Sequence, residues 1–149
     1  TGQNLFHIPT NSSTYAFVNY LDVERIGYNN HSSDYSIDDT ERLKRYKAVL
    51  NALAMTMLRL DGAMTSTQLP HLANFEGMLT YSSSIFPSPM ISPLNDEYKQ
   101  EIENIAGKVN SFNDNSIECK NFDSMSEFVG HLENLIDTTT PGKIMCDES

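Results

Sequence analysis

Four histidines, two cysteines and twenty carboxylates are the side chains of this 149-residue sequence that could do chemistry. Their spacing decides which kinds. His131 follows Glu127 by four residues and precedes Glu133 by two. That spacing would suit a metal-ligand or acid–base pair, and equally a solvated i,i+4 pair on a helix, which is the blander and preferred reading. His7, His31 and His71 stand far from it and from one another. NDNSIE, residues 113–118, offers oxygen ligands for calcium. Counted from Asn113, however, Glu118 falls where an EF-hand loop needs glycine. Residues 34–41 lack both the turn glycine and the closing glutamate, so both stretches read as caps and turns. Glu101 and Glu103 flank Ile102 and project to different sides of a helix, which rules out a convergent carboxylate pair. The phosphate-loop, dinucleotide, nucleophile-elbow and zinc-protease patterns are all absent from the sequence. The expectation is a non-enzymatic chain with no cofactor and no metal.

Cys119 and Cys146 bracket one amphipathic stretch. A helix of ~14 residues is ~21 Å long, and the residues after it reach back ~30 Å when extended. A disulfide between Cys119 and Cys146 is thus geometrically open, worth about 3.5 kcal/mol in the chain-entropy model. In a reducing compartment both would remain thiols, and the two alternatives stand level. The sequons at Asn11 and Asn30 are no more than chance supplies in so Asn-, Ser- and Thr-rich a chain. The compartment is left undetermined.

Two features could serve a partner. ERLKRYK, residues 41–47, is the one dense basic cluster. On a helix it sets Arg42 and Arg45 on one flank and Lys44 and Lys47 on the other, around Leu43 and Tyr46. Residues 77–95 carry no charged side chain, and within them three prolines alternate with Phe86, Met90, Ile91 and Leu94. Burying such side chains yields about 1.5–3 kcal/mol each, so residues 82–95 are expected to form a crossover strap at least half buried. Phe86, Met90 and Ile91 are the candidates for apolar contact with a protein partner, and Arg42, Arg45 and Lys47 for electrostatic complementarity.

Net charge is −10, and residues 61–149 hold fourteen acidic against four basic side chains while residues 1–60 balance at six each. An acidic total argues against nucleic acid and against anionic membrane surfaces. No apolar run approaches the ~20 residues of a membrane span. The chain opens on Thr1, which implies a processed or partial chain.

Apolar spacing of three and four predicts the elements that must position these residues. The clearest helix covers residues 38–61, with Leu43, Tyr46, Leu50, Leu53, Met57 and Leu60 on one face. Asp38 and Glu41 form a capping-box start, and Gly62 suits its end. A second runs over 92–112, capped by Ser92 with Pro93 in the first turn. A third runs over 124–137, with Ser124 and Glu127 as its capping box. A shorter helix fits 70–81. Residues 13–28 allow a helix capped by Ser13 or, by their β-branched and aromatic content, a strand; the helix is preferred because no second strand is evident to pair with them. Residues 1–12 and 138–149 read as tails. The predicted architecture is all-α, a single-domain bundle of four to five helices over 1–149.

CKNFDSMSEFVGHLENLI, residues 119–136, resembles the cysteine-then-amphipathic final helix of short-chain four-helix cytokines. The resemblance spans about a fifth of the chain and rests on apolar spacing and one cysteine; it implies a secreted helical ligand. The leading functional expectation is an α-helical protein-interaction module that binds a protein partner or joins an assembly, with a secreted four-helix-bundle signalling ligand or carrier as the alternative.

Overall fold

The computed structural model describes residues 13–59, 71–113 and 116–144. The chain is α+β, not an all-α bundle. Its order is β1 (Tyr28–Asn29), β2 (Asp34–Tyr35), α1 (Asp39–Leu58), β3 (Gly77–Ser82), α2 (Tyr98–Asn110), β4 (Ile117–Phe122) and α3 (Met125–Thr138). β1 and β2 form one small antiparallel sheet, and β3 and β4 form another.

α1 and α3 arise where local signals agree. The Asp38 carboxylate accepts from the Glu41 N–H at 2.8 Å, and Ser124 Oγ accepts from the Glu127 N–H at 3.2 Å. Glu127 reaches back to accept from the Asp123 N–H at 2.8 Å. Each side-chain cap is worth about 1 kcal/mol. The apolar stripes meet at one core of Tyr46 and Leu50 from α1, Phe122 from β4, and Phe128, Leu132 and Leu135 from α3. Phe75 joins it, with its ring centroid 5.3 Å from both Phe122 and Phe128. The expected end of α1 at Gly62 lies outside the described residues.

The helix expected over 70–81 does not form: residues 71–76 are irregular and β3 begins at Gly77. Phe75, Leu79 and Tyr81 all lean on the core, and with Gly77 between them they run at period two, the strand repeat. Gly77 hides that alternation because it has no side chain. It has none because Phe122 lies on it, and a Cβ there would meet the ring at 2.6 Å. β4 supplies the partner, in the register Gly77↔Phe122 through Ser82↔Ile117.

α2 begins at Tyr98 rather than at Ser92. The Ser92 hydroxyl caps a turn, accepting from the Leu94 N–H at 3.3 Å. α2 packs its Ile102 and Ala106 inward and is tied to β4 by Asn110, whose amide donates to Ile117 O at 2.8 Å and accepts from Ile117 N at 2.9 Å. Residues 13–22 have no regular secondary structure and form no helix. The missing strand pair is local: β1 pairs with β2 across a turn in which Ser33 has φ 53°. Gly27 enters that hairpin at φ 78°, pressed against Ile37, where a Cβ has neither room nor a relaxed backbone.

The strap over 82–95 leaves most of its large apolar side chains in solvent. Ile85, Met90 and Leu94 are 78%, 60% and 80% exposed, Phe86 is 37% exposed with its ring 5.9 Å from that of Phe112, and Ile91 is half-buried. The chain between β3 and α2 is an irregular surface connector, because β3 and β4 already cover the core below it.

Candidate functional site

The basic cluster lies in the first two turns of α1, and the helix divides it. Arg42 points inward and is 2% exposed. Its Nε donates to Ile26 O at 3.1 Å and its Nη2 to Gly142 O at 2.6 Å. Its guanidinium also stacks 4.1 Å from the Tyr35 ring centroid. The carboxylate paired with it, Asp39, is 3.6 Å away and largely in solvent. Arg42 therefore works as a backbone-carbonyl donor that pins three segments together, the β1–β2 hairpin, α1 and residues 139–144.

The other members of the cluster face out. Arg45 is exposed and pairs with Glu41 at 3.0 Å, an i,i+4 contact. Lys44 is exposed and Lys47 half-buried, and neither is ion-paired among the described residues. From residue 42 to residue 59 the chain carries Arg42, Lys44, Arg45, Lys47 and Arg59 and no acidic side chain, so half of its ten basic residues fall within eighteen positions.

Residues 139–144 close over the Arg42 side of α1. Thr139 Oγ1 donates to Leu135 O at 2.6 Å, so the 2.6 Å contact with Tyr46 has the Tyr46 hydroxyl as donor. Lys143 donates to Asp39 at 2.8 Å. That bond, helped by Arg42, holds the Asp39 carboxyl below its ordinary value. The Ile144 N–H donates to the Tyr35 hydroxyl at 2.8 Å, and that hydroxyl donates onward to Glu24 O at 2.9 Å. Sequence reasoning missed Tyr35, Asp39 and this strap altogether. Their partners lie about a hundred positions apart, beyond any local pattern.

The remaining candidates do not converge. Phe86, Met90 and Ile91 sit on the surface connector, away from the cationic turns of α1 in sequence, and among the described residues none of them hydrogen-bonds or stacks with the basic side chains there. Cys119 is a free, half-buried thiol on β4, raised above its usual value by burial and by the Glu103 charge. Cys146 lies outside the described residues, as does His7. His131 bonds Asn121 O at 3.0 Å. Glu101 accepts from Asn95 and Glu103 from Asn121, so the two carboxylates turn to different partners. Tyr81 is pushed up to about 12 by burial and by its bond to Glu118, which makes its hydroxyl a donor and no proton shuttle near neutrality. Among the described residues no three His, Cys, Asp or Glu side chains gather as a metal would need. Nor is any described helix long and apolar enough to cross a membrane. An open groove runs between the end of α1 and the first turns of α3, lined by Leu58, Met125, Val129 and Glu133 among others.

The arrangement offers donors and fixed positive charge, which is the chemistry of anion contact and not of proton transfer. A family model, that of the CRISPR-associated negative auto-regulator DevR/Csa2, matches residues 1–103. No curated protein and no solved structure matches the chain. The matched residues take in the β1–β2 hairpin, α1 and β3. This match overturns the expectation of a secreted four-helix ligand, and the α+β fold overturns an all-helical module, while the expectation that the chain forms part of an assembly is partly compatible with the match. It also overturns the exclusion of nucleic acid, a typical partner of CRISPR-associated proteins. The exclusion failed because a whole-chain total of −10 averages an acidic C-terminal part with a basic helix.

Proposed function

The chain belongs to the CRISPR-associated negative auto-regulator DevR/Csa2 family, and we propose that it serves as a binding component of a CRISPR-associated assembly, meeting nucleic acid through the cationic side of α1. The observation that carries this reading is the acid-free stretch from Arg42 to Arg59, with Lys44 and Lys47 unpaired among the described residues. Phosphate contact needs such cations, and screening limits the reach of the acidic C-terminal part to about 8–10 Å at ordinary salt. Lys44, Arg45 and Lys47 supply the phosphate contacts. Phe86 and Met90, exposed on the connector, with the half-buried Ile91 beside Met90, supply contact with protein neighbours in the assembly. The role is one of binding, and no reaction is assigned to it.

Fluorescence anisotropy with a labelled single-stranded RNA, across a salt series, tests this. Three phosphate contacts give a slope of log K against log salt of about −2, at about −0.7 per contact on a single strand. Lys44→Glu with Lys47→Glu should flatten the slope and weaken binding at low salt by tenfold or more, by the arithmetic of about 1.4 kcal/mol per decade. A slope near zero, or binding indifferent to both substitutions, refutes the site.

A further inference from the structure

Arg42 is the member of the basic cluster that nucleic acid cannot reach. It is 2% exposed, yet the carboxylate ion-paired with it among the described residues is 69% exposed, 3.6 Å away and shared with Lys143. A buried guanidinium held mainly by neutral carbonyls is under-compensated, because removing a full charge from water is costly unless it is closely paired. Residues 139–144 cover it together with Tyr35 and Ile26. Their hold is almost wholly polar: Tyr46 on Thr139, Arg42 on Gly142 O, Lys143 on Asp39 and Ile144 N–H on Tyr35. Only Pro141 and Ile144 add half-buried apolar surface. Each polar bond exchanges for one to water on opening, so this segment belongs to the low-stability end of the structure while the Leu132 core does not.

Resting on the nucleic-acid reading above, we infer that residues 139–144 form a clasp that masks Arg42, and that nucleic-acid phosphate competes with the clasp for that guanidinium. Phosphate offers Arg42 two charge-assisted bonds in place of the one neutral carbonyl that the clasp supplies, while Asp39, on α1 itself, stays beside it. With the clasp off, Arg42 lies three positions from Arg45 on the same flank of α1, so it extends a cationic surface that already exists. Phosphate binding and clasp opening are then linked: whatever opens the clasp tightens binding, and binding opens the clasp.

The test uses the full chain and Tyr35→Phe combined with Thr139→Val, which removes two clasp contacts and no charge. Hydrogen exchange reads the amides of 139–144, and anisotropy with a labelled oligouridine reads affinity and salt slope. Exchange in the clasp should rise, binding should tighten by about three- to tenfold, and the slope should steepen by about 0.7, one further phosphate contact. Saturating the unaltered chain with the same RNA should speed exchange in 139–144, an arm that needs no variant to fold. A clasp that exchanges no faster in the double variant, or one loosened with affinity and slope unchanged, overturns the clasp while leaving the α1 site standing. Clasp exchange in the unaltered chain indifferent to saturating RNA does the same. RNA that binds neither protein overturns the nucleic-acid reading itself, and the clasp with it.

Discussion

Arg42→Met separates the two roles a buried arginine could have. Methionine keeps the unbranched stem and its packing but removes every donor. The structure gives Arg42 two bonds to backbone carbonyls, at 3.1 Å to Ile26 and 2.6 Å to Gly142, and a stacked contact at 4.1 Å with Tyr35. Hydrogen bonds from a charged donor are worth about 1.5–3 kcal/mol each, and the stacked cation adds about 1–2 kcal/mol when desolvated. Relief from burying an under-paired charge works against these by a few kcal/mol. The net expected loss is about 3 kcal/mol, which in a domain of this size lowers Tm by about 6–12 °C. Urea unfolding followed by far-UV circular dichroism measures it. Asp39→Asn, by contrast, should leave the urea midpoint almost unchanged, since exposed pairs contribute little. The double variant should be nearly additive, with a coupling below about 0.5 kcal/mol. A loss under about 1 kcal/mol for Arg42→Met, or a coupling above about 2 kcal/mol with Asp39, would show that an ion pair and not carbonyl donation organises this corner, and the reasoning would fail.

Gly77→Val should cost at least about 1–3 kcal/mol by forcing the Phe122 ring aside, and a variant as stable as the parent would mean that β3 does not lie under that ring. Asp39 is held below its ordinary value of 3.8 by Lys143 first and Arg42 second. Its folded pKa is depressed, so whatever it contributes is present above 3.8 and lost as pH falls through the lower folded value. A carboxyl NMR titration should place its midpoint below 3.8 and move it upward in Lys143→Met; an unmoved midpoint would detach Lys143 from Asp39.

α1 and α3 were legible in the amino-acid order because everything that makes them is within a few positions. Asp38 with Glu41, Ser124 with Glu127, and apolar residues three and four apart act on the same turn or the next. The acid-free run of cations on α1 was equally plain, though a charge sum over the whole chain obscured what it meant. Pairing between β3 and β4 was not legible. Thr80 meets Cys119 and Tyr81 meets Glu118 across nearly forty positions. The alternation in β3 is broken by Gly77, whose side chain is missing because Phe122 occupies its place. The apolar residues before and within that strand, Leu72, Phe75 and Leu79, are therefore spaced three and four apart like a helix face. Where Arg42 points was further out of reach, since one of its two carbonyl partners is Gly142, a hundred residues on. Helical turns are short-range and their signals sit side by side. A sheet partner, a buried arginine's carbonyls and the face left to solvent are chosen only when distant segments compete for the same interior, and that choice belongs to the tertiary structure.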